Sequence, residues 1–326
     1  MLPVAIDAMG GDHAPGAIVE GARRAVDELG VPVVLVGRPE DLDPLRGDLD
    51  VVAASQVIGM DADAGASVRT MKDSSLVRAA EAVRDGRASA MVSAGNTGAT
   101  MASALLRLGR IKGVARPAIA TPIPVPGSTP TVLLDAGANA ECQPQWLVQF
   151  AQMGATFARE RYGIADPRVG LLSIGEEPTK GNALVKETHG LLGAVGALDR
   201  AGARFVGNVE GRDIMTPDVD VVVTDGFTGN VALKTLEGGM RSLVTAVIDG
   251  LSATDVADAA LGALMPLYGT LDPDQTGGAM LLGVDGVCII SHGSSSATAV
   301  VNATRVAAEM VEAGLVERLR SAVASA

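Results

Sequence analysis

The sequence is poor in aromatic residues and cysteine, and each shortage limits what the protein can be. Only 2% of its 326 residues are Phe, Trp or Tyr, so the 48% hydrophobic fraction must form a core mainly of Val, Leu, Ala and Met. The two cysteines, Cys142 and Cys288, provide neither the spacing of a metal site nor a disulfide framework. We therefore expect a metal-independent enzyme.

Basic residues and long apolar runs are also scarce. The chain has 26 Lys and Arg against 38 Asp and Glu, a net charge of −12. This balance argues against nucleic-acid binding, because the phosphate backbone attracts basic surfaces. No run of about 18 apolar residues is present, which argues against a transmembrane helix. The first residues lack basic side chains and soon reach Asp7, unlike a signal peptide. These features predict a cytoplasmic protein.

Short apolar segments alternate with helical patterns along the chain. This alternation predicts a mainly parallel sheet covered by helices on both faces. Residues 118–122 and 131–135 flank a proline-rich turn, which predicts an antiparallel excursion between two parallel halves. The length fits one large α/β domain or two closely packed lobes. Because no repeat or linker marks a boundary, we expect a single α/β domain over residues 1–326.

Two segments differ from this alternation. Residues 59–70 are polar and rich in Gly and Ala, which predicts an exposed loop. Residues 249–274 carry five aspartates and no basic residue, while apolar side chains between Val256 and Leu267 recur at helical spacing. The second segment predicts a helical excursion near 249–274 that either packs in a dimer or contacts a partner or a membrane.

Glycine-rich turns recur where strand-like segments end and helical patterns begin. Residues 95–98, Gly-Asn-Thr-Gly, separate a small apolar strand from an Ala- and Leu-rich helix pattern. Free N–H groups and a partial positive charge at the start of a helix favour an anion such as phosphate. Related turns at 132–139 and 221–230, and a looser one at 8–15, predict one composite site beyond the carboxyl ends of the strands.

The side chains in these turns suit an oxyanion better than redox or metal-hydroxide chemistry. Asn96 and Thr97 are either helix caps or anion ligands. His13 is either a solvent-facing loop residue or a proton donor oriented by Asp12, and His292 is interpreted in the same way. Lys180 is either a solvated side chain or a cation that neutralises developing charge.

Several cofactor and nucleophile motifs are absent. Gly10-Gly11 does not extend to Gly-x-Gly-x-x-Gly, so dinucleotide binding is unsupported. Residues 175–182 lack the spacing of a nucleotide P-loop, and Gly-x-Ser-x-Gly does not occur. No Cys–His–Asn spacing can be identified around Cys142, so we do not expect covalent thiol catalysis.

One interval has an unusual charge. Between Asp85 and Asp135 there is no acidic residue. The basic residues of this interval are Arg87, Arg107, Arg110, Lys112 and Arg116. On an acidic chain, this basic zone is either a solvated surface that supports a phosphate site or a dock for an acidic partner.

Together these motifs resemble those of the bacterial phosphate acyltransferases of phospholipid synthesis. The resemblance runs nearly end to end. The matching segments are 7–15 (Asp-Ala-Met-Gly-Gly-Asp-His-Ala-Pro), 93–99 (Ser-Ala-Gly-Asn-Thr-Gly-Ala), 109–113 (Gly-Arg-Ile-Lys-Gly), 224–231, 234–238 and 292–295. The resemblance implies a Rossmann-like α/β/α sandwich of the phosphotransacetylase and isopropylmalate dehydrogenase type, usually dimeric.

The resemblance also implies a reaction in which an acyl group passes from acyl-acyl carrier protein to inorganic phosphate, with no cofactor. A downstream membrane acyltransferase then acylates glycerol 3-phosphate with the acyl phosphate. We assign oxyanion stabilisation to Lys180 and Asn230, and protonation of the leaving thiolate to His13. The expected phosphate and substrate ligands are Gly10, Gly11, Asp12, Ser93, Asn96, Thr97, Gly98, Asn139, Thr228, Gly229 and His292. The carrier-protein dock is expected at Arg107, Arg110, Lys112 and Arg116.

One segment departs from the resemblance. Similar proteins tend to carry a basic, amphipathic arm that can associate with membranes, whereas residues 249–274 are acidic. Attraction to anionic lipid is therefore not expected, and any peripheral membrane contact would be weakly hydrophobic or indirect. Two alternatives stay open: a phosphotransacetylase that uses coenzyme A thioesters, and an inactive scaffold that binds the carrier protein.

Overall fold

A computed structural model describes residues 1–252, 254 and 257–323. The strands are β1 (Val4–Asp7), β2 (Val33–Gly37), β3 (Asp50–Ala53), β4 (Ala90–Ser93), β5 (Ala118–Ile123), β6 (Thr131–Leu134), β7 (Arg168–Leu172), β8 (Arg204–Val209), β9 (Val221–Val223), β10 (Ala279–Leu282) and β11 (Val287–Ile290). The helices are α1 (Gly16–Leu29), α2 (Pro39–Leu42), α3 (Ala64–Thr70), α4 (Ser75–Arg84), α5 (Thr97–Arg107), α6 (Pro144–Tyr162), α7 (Ala183–Leu192), α8 (Gly226–Ser252), α9 (Ala257–Leu271), α10 (Pro273–Thr276), α11 (Ala297–Glu312) and α12 (Leu315–Ala322).

The eleven strands form one sheet in the order β3-β2-β1-β4-β11-β10-β5-β6-β9-β7-β8. Seven neighbouring pairs are parallel, which confirms the mainly parallel α/β fold. The pairs β11–β10, β10–β5 and β5–β6 are antiparallel. The last of these is the predicted antiparallel excursion. Because the number of reversals is odd, β6, β9, β7 and β8 run opposite to β1, β2, β3, β4 and β11.

Helices cover both faces of the sheet because adjacent strand residues point to opposite sides. In β1, Val4 and Ile6 pack in a core cluster with residues of α1, α6 and α11. Ala5 packs in a second cluster with residues of α4 and α5. The buried strand residues are therefore apolar on both faces, as expected for a sheet enclosed by helices.

Four local predictions were wrong. The expected loop at 59–70 contains α3, and β10 was not predicted. The last helix divides at Gly314, whose φ of +64° ends α11 before α12 begins. The helix expected from Val231 begins at Gly226 instead. Asp225 explains that earlier start, since its carboxylate accepts hydrogen bonds from both the backbone and the hydroxyl of Thr228.

The predicted excursion is part of a longer arm, in which α8 and α9 pack against each other. Residues 253, 255 and 256 of the predicted segment lie outside the described residues. The arm exposes large apolar side chains, among them Leu243, Met265 and Tyr268. No residue of α9 is buried. Within the described chain, no helix is long and apolar enough to cross a membrane.

Candidate functional site

A cavity of about 200 Å³ lies against β5, where the turns after β4 and β11 approach the start of α8. Thr97 lines it at the beginning of α5, and His292 lines it after β11. Asn230 and Lys234 enter it from successive turns of α8. The rest of the lining is largely apolar and includes Ile119, Ile123, Ala136, Leu233, Leu236, Met240, Leu271 and Ile290. The cavity thus combines a few polar groups with a mainly apolar wall, as many small-molecule sites do.

The turns after β1 and β4 are held together by the buried Asp7. Its carboxylate accepts a hydrogen bond from the Ser93 hydroxyl at 2.7 Å, and that hydroxyl accepts one from the Gly95 N–H at 3.0 Å. A Cβ at Gly10 would lie only 2.6 Å from Asp7 Oδ2. Burial raises the pKa of Asp7, although hydrogen bonds from Ser93 and Met9 oppose the shift. Ser93 therefore supports the Gly95 turn from beneath it.

Asn96 is engaged in bonds within the protein. Its side-chain oxygen accepts from the Ala99 N–H at 2.9 Å, which caps α5. Its side-chain nitrogen donates to the carbonyls of Met60 and Ala62. In this arrangement Asn96 fixes the helix start and the 60–62 loop, while the exposed Thr97 next to it faces the cavity.

A second group of turn residues forms around the buried Asp135. Its carboxylate accepts hydrogen bonds from the backbone N–H groups of Ile119, Gly137, Ala138 and Asn139. The Asn139 side chain donates to Asp135 at 2.8 Å and to the Pro117 carbonyl at 2.8 Å. Burial raises the pKa of Asp135, against these hydrogen bonds. Asn139 and Asp135 together shape the loop on which α8 begins.

Asn230 differs from Asn96 and Asn139. It is exposed, and its side-chain amide makes no hydrogen bond to any residue that the structure describes. It lies beside Gly137, where a Cβ would be 3.2 Å from the Asn230 amide nitrogen. Of the asparagines in the three repeated turns, Asn230 is thus the one with a donor available to a ligand in the cavity.

Lys234 and Glu237 are polar residues of the cavity to which the sequence assigned no role. The Lys234 Nζ lies 2.8 Å from Glu237 Oε2 and 3.2 Å from His292 Nε2. Glu237 Oε1 lies 3.3 Å from the same His292 nitrogen. The three side chains join α8 to the turn after β11. The signal was present in residues 234–237, because a spacing of three residues puts Lys and Glu on one helix face.

Glu237 is the most buried member of this group, with a side-chain exposure of 19% against 53% for Lys234 and 48% for His292. Its burial opposes ionisation. Hydrogen bonds and charge from His292 and Lys234 outweigh that effect and lower the pKa of Glu237 to about 2. Glu237 is therefore an ionised anchor at neutral pH, and the two more exposed side chains face solvent and the cavity.

Several predicted site residues lie outside the cavity lining. His13 is exposed in the turn after β1, and among the described residues its ring donates no hydrogen bond to Asp12. Asp12 itself meets the turn after β11, since its N–H donates to the Gly293 carbonyl at 2.7 Å. Lys180 is exposed in the loop after β7. Because β7 pairs in parallel with β9, that loop leaves the sheet at the same edge as the turn that begins α8, although Lys180 itself does not line the cavity.

The remaining predicted ligands lie in the turn framework. Gly11 and Gly98 approach neighbouring turns, where an added Cβ would lie 3.1 Å from the Gly293 carbonyl and 3.0 Å from the Ala64 Cβ. Thr228 is bonded to Asp225 at the start of α8. These residues shape the walls of the site.

Only part of the basic zone is free of ion pairs with acidic side chains among the described residues. Arg107 pairs with Glu81 of α4 at 3.4 Å, and Arg87 pairs with Asp85 at 3.3 Å. Arg110 and Arg116 are exposed and line a shallow cleft with Trp146, whose ring lies 4.9 Å from the Arg116 guanidinium carbon. Lys112 is exposed beside them. Glu81, which is distant in sequence, therefore neutralises part of the charge that Arg107 could offer a partner.

The cysteine thiols are poorly suited to nucleophilic catalysis. Burial, followed by the negative charge of Asp135, raises the pKa of Cys142 to about 12. Burial alone raises the pKa of Cys288 to about 12. Both thiols are protonated at neutral pH, whereas the nucleophilic form is the thiolate. Among the residues that the structure describes, no group of three or more His, Cys, Asp or Glu side chains is arranged to hold a metal ion.

Several solved structures share this fold. The chain is similar to the EutD phosphotransacetylase from Staphylococcus aureus, with a TM-score of 0.61 and 16% identity over 95% of this chain and 94% of that one. It is also similar to a 4-hydroxythreonine-4-phosphate dehydrogenase from Klebsiella pneumoniae, with a TM-score of 0.56 and 12% identity over 95% and 100% of the two chains. At these identities the likeness concerns the fold alone.

Comparison of sequences is more specific. Residues 2–318 match the family model described as "Fatty acid synthesis protein". The chain is 50% identical to the phosphate acyltransferase of Heliobacterium modesticaldum, over 98% of this chain and 97% of that protein. It is 48% identical to the phosphate acyltransferase of Elusimicrobium minutum, over 99% and 96% of the two chains. The resemblance inferred from the motifs is confirmed, and the chain belongs to the phosphate acyltransferase family.

Proposed function

We propose that this protein transfers a fatty acyl group from acyl-acyl carrier protein to inorganic phosphate, giving acyl phosphate for phospholipid synthesis. The observation that carries the proposal is the cavity itself. It joins the start of α5, the free amide of Asn230 and the imidazole of His292 to a mainly apolar wall. The polar groups suit a phosphate, and the apolar wall suits an acyl chain.

In the proposed reaction, phosphate enters as HPO₄²⁻ near Thr97, where the start of α5 favours an anion. One phosphate oxygen attacks the thioester carbonyl, and the resulting tetrahedral oxyanion accepts a hydrogen bond from the Asn230 amide. The carbon–sulfur bond then breaks, and the acyl–oxygen bond remains. The proton that phosphate brought is transferred to the departing sulfur, so the products are acyl phosphate and the free carrier thiol.

Two assigned roles are affected by the geometry. The sequence favoured His13 as the proton donor to sulfur, but His292 lines the cavity and His13 does not. We therefore assign the proton transfer to His292. Lys180 is retained as the second oxyanion donor, because its exposed ammonium makes no bond to a described residue and stands on a flexible side chain.

The acyl chain is proposed to lie along the apolar wall. A second groove of about 370 Å³ shares Met240 and Leu271 with the cavity and continues between α8 and α9 past Val244, Ile248 and Tyr268. The apolar side chains of this groove, which also contains Glu237, Arg241 and Asp272, offer a long chain apolar contacts beyond the reacting carbonyl.

The experiment that tests the proposed function measures free thiol released from acyl-acyl carrier protein, with and without inorganic phosphate. We expect release that depends on phosphate and matches the formation of labelled acyl phosphate. Phosphate-independent release, or none, would contradict the proposal. Equal or greater rates with acyl-coenzyme A would favour a phosphotransacetylase instead, and phosphate-dependent release would exclude the inactive scaffold.

Carrier-protein docking is proposed at Arg110, Lys112 and Arg116, with a smaller contribution from the paired Arg107. Lys112→Glu combined with Arg110→Glu is expected to raise the KM for acyl-acyl carrier protein about 10-fold at low salt, and less as salt increases. Initial rates across a salt series would measure this. The matched control is Arg87→Glu in the same acid-free interval, whose effect should be small. An unchanged KM in the double variant would point to another dock.

The exposed apolar side chains of α8 and α9 support a second copy of the chain as the partner of the arm. We therefore propose a homodimer, and light scattering in dilute solution tests it. A monomer at micromolar concentration would contradict this assignment. In that case the arm would be free for a membrane surface or for the downstream glycerol 3-phosphate acyltransferase.

A further inference from the structure

The phosphate dianion needs a positive charge in the cavity, and the described lining offers a limited choice. Its ionisable side chains are Lys234, Glu237, Asp274 and His292. Lys234 is the one lysine or arginine in that described lining. It stands one helical turn after Asn230, so the two side chains share a face of α8. The residue proposed to hold the oxyanion and the one available cation are therefore neighbours.

The contacts of Lys234 leave it able to bind a ligand. An ammonium has three N–H donors. One is directed to Glu237 at 2.8 Å and a second to the His292 Nε2 at 3.2 Å. The third has no partner among the described residues. With 53% of its side chain exposed, the ammonium is also accessible to a ligand that enters from solvent.

His292 completes the group from the turn after β11. Its Nε2 lies within hydrogen-bonding distance of both Lys234 Nζ and Glu237 Oε1, so it either accepts from Lys234 or donates to Glu237. Glu237 balances the charge of Lys234 and is the least exposed of the three, so the group is held together from its buried side.

We propose that Lys234 is the residue whose charge binds the phosphate substrate, and that Glu237 and His292 position its ammonium for that purpose. This inference rests on the proposed function, because it names the cation for the same site. It assigns Lys234 a role separate from that of Lys180, which lies outside the cavity lining.

Lys234→Met is expected to raise the KM for phosphate about 10- to 100-fold, as the loss of a charged hydrogen bond predicts. The KM for the acyl donor should change little, and Lys234→Arg should recover part of the loss. Glu237→Gln should raise the KM for phosphate several-fold while largely preserving kcat. The matched control is Lys186→Met, which removes an exposed lysine of α7 that lines neither the cavity nor the neighbouring groove.

A purely structural link between α8 and the turn after β11 predicts a different result. In that case Lys234→Met would lower thermal stability and affect both KM values equally, and this outcome would overturn the inference. An unchanged KM for phosphate would also overturn it. Calorimetric titration with inorganic phosphate alone keeps the test independent of turnover: if the wild type binds phosphate but releases no thiol, the proposed function fails while the role of Lys234 is still measured.

Discussion

Asn230→Ala is expected to lower turnover about 100-fold with almost no change in the free energy of unfolding. The expected loss follows from removing one donor to a developing oxyanion, which typically costs about 10²–10³ in rate. Stability should persist because the Asn230 amide makes no hydrogen bond within the described chain and the residue is exposed. Lys180 is the second proposed donor, and Lys180→Ala is expected to lower turnover strongly with equally little effect on the free energy of unfolding.

The measurement is single-turnover thiol release under saturating phosphate, together with urea denaturation of each variant. Val231→Ala is a suitable control, because Val231 is the next residue of α8, is 52% exposed and does not line the cavity. Near-normal rates for both Asn230→Ala and Lys180→Ala would mean that the oxyanion is held by other groups. A loss in Asn230→Ala alone would restrict the oxyanion site to the cavity.

The sequence predicted the glycine turns well because their signal is local. The turn at residues 95–98 required only a strand that ends, a glycine and a helix pattern. Whether an asparagine in such a turn is a cap or a ligand depends on contacts across the fold. Asn96 reaches Met60, and Asn139 reaches Pro117. Only the tertiary structure shows that Asn230 is left free.

Strand direction was predicted less well because it is a global property. The sequence pattern placed all the turns at the carboxyl ends of one sheet, but β10 was not recognised. Its Ala279–Leu282 segment is short and follows two glycines, so no periodic signal marks it. Three antiparallel pairings reverse the second half of the sheet. As a result, the turns after β6, β9 and β7 follow strands that run opposite to those leading to Ser93 and His292, yet Ala136 and Asn230 of these turns line the same cavity.

Charge was also hard to assign from order along the chain. Residues 86–134 contain no acid, yet Arg107 lies 3.4 Å from Glu81 of the preceding helix. The reverse applies to Lys234 and Glu237, which were visible as a motif but gained a chemical meaning only when the fold brought His292 to them. Local motifs identify the family, whereas the partners of each charge follow from packing.

The start of α8 contains the position most sensitive to a single added methyl group. A Cβ at Gly229 would lie 1.9 Å from the Asp135 carbonyl oxygen and 3.0 Å from the Thr224 Cγ2. The helix therefore approaches the Asp135 loop as closely as it does only because residue 229 has no side chain. Asn230 is the next residue, so its position in the cavity depends on this contact.

Gly229→Ala is accordingly expected to lower the free energy of unfolding by about 1–3 kcal/mol, as overpacking of a buried site does. Turnover should fall about 100-fold, because displacing the start of α8 by about 1 Å moves the oxyanion donor out of place. Gly238→Ala on the same helix is the matched control, since no atom lies within 4 Å of its added Cβ. That variant should be neutral or up to about 1 kcal/mol more stable, because alanine favours the helix. Urea denaturation and turnover of the two variants separate the effects. If Gly229→Ala kept full turnover and wild-type stability, the close packing of α8 on the Asp135 loop would not be what positions Asn230.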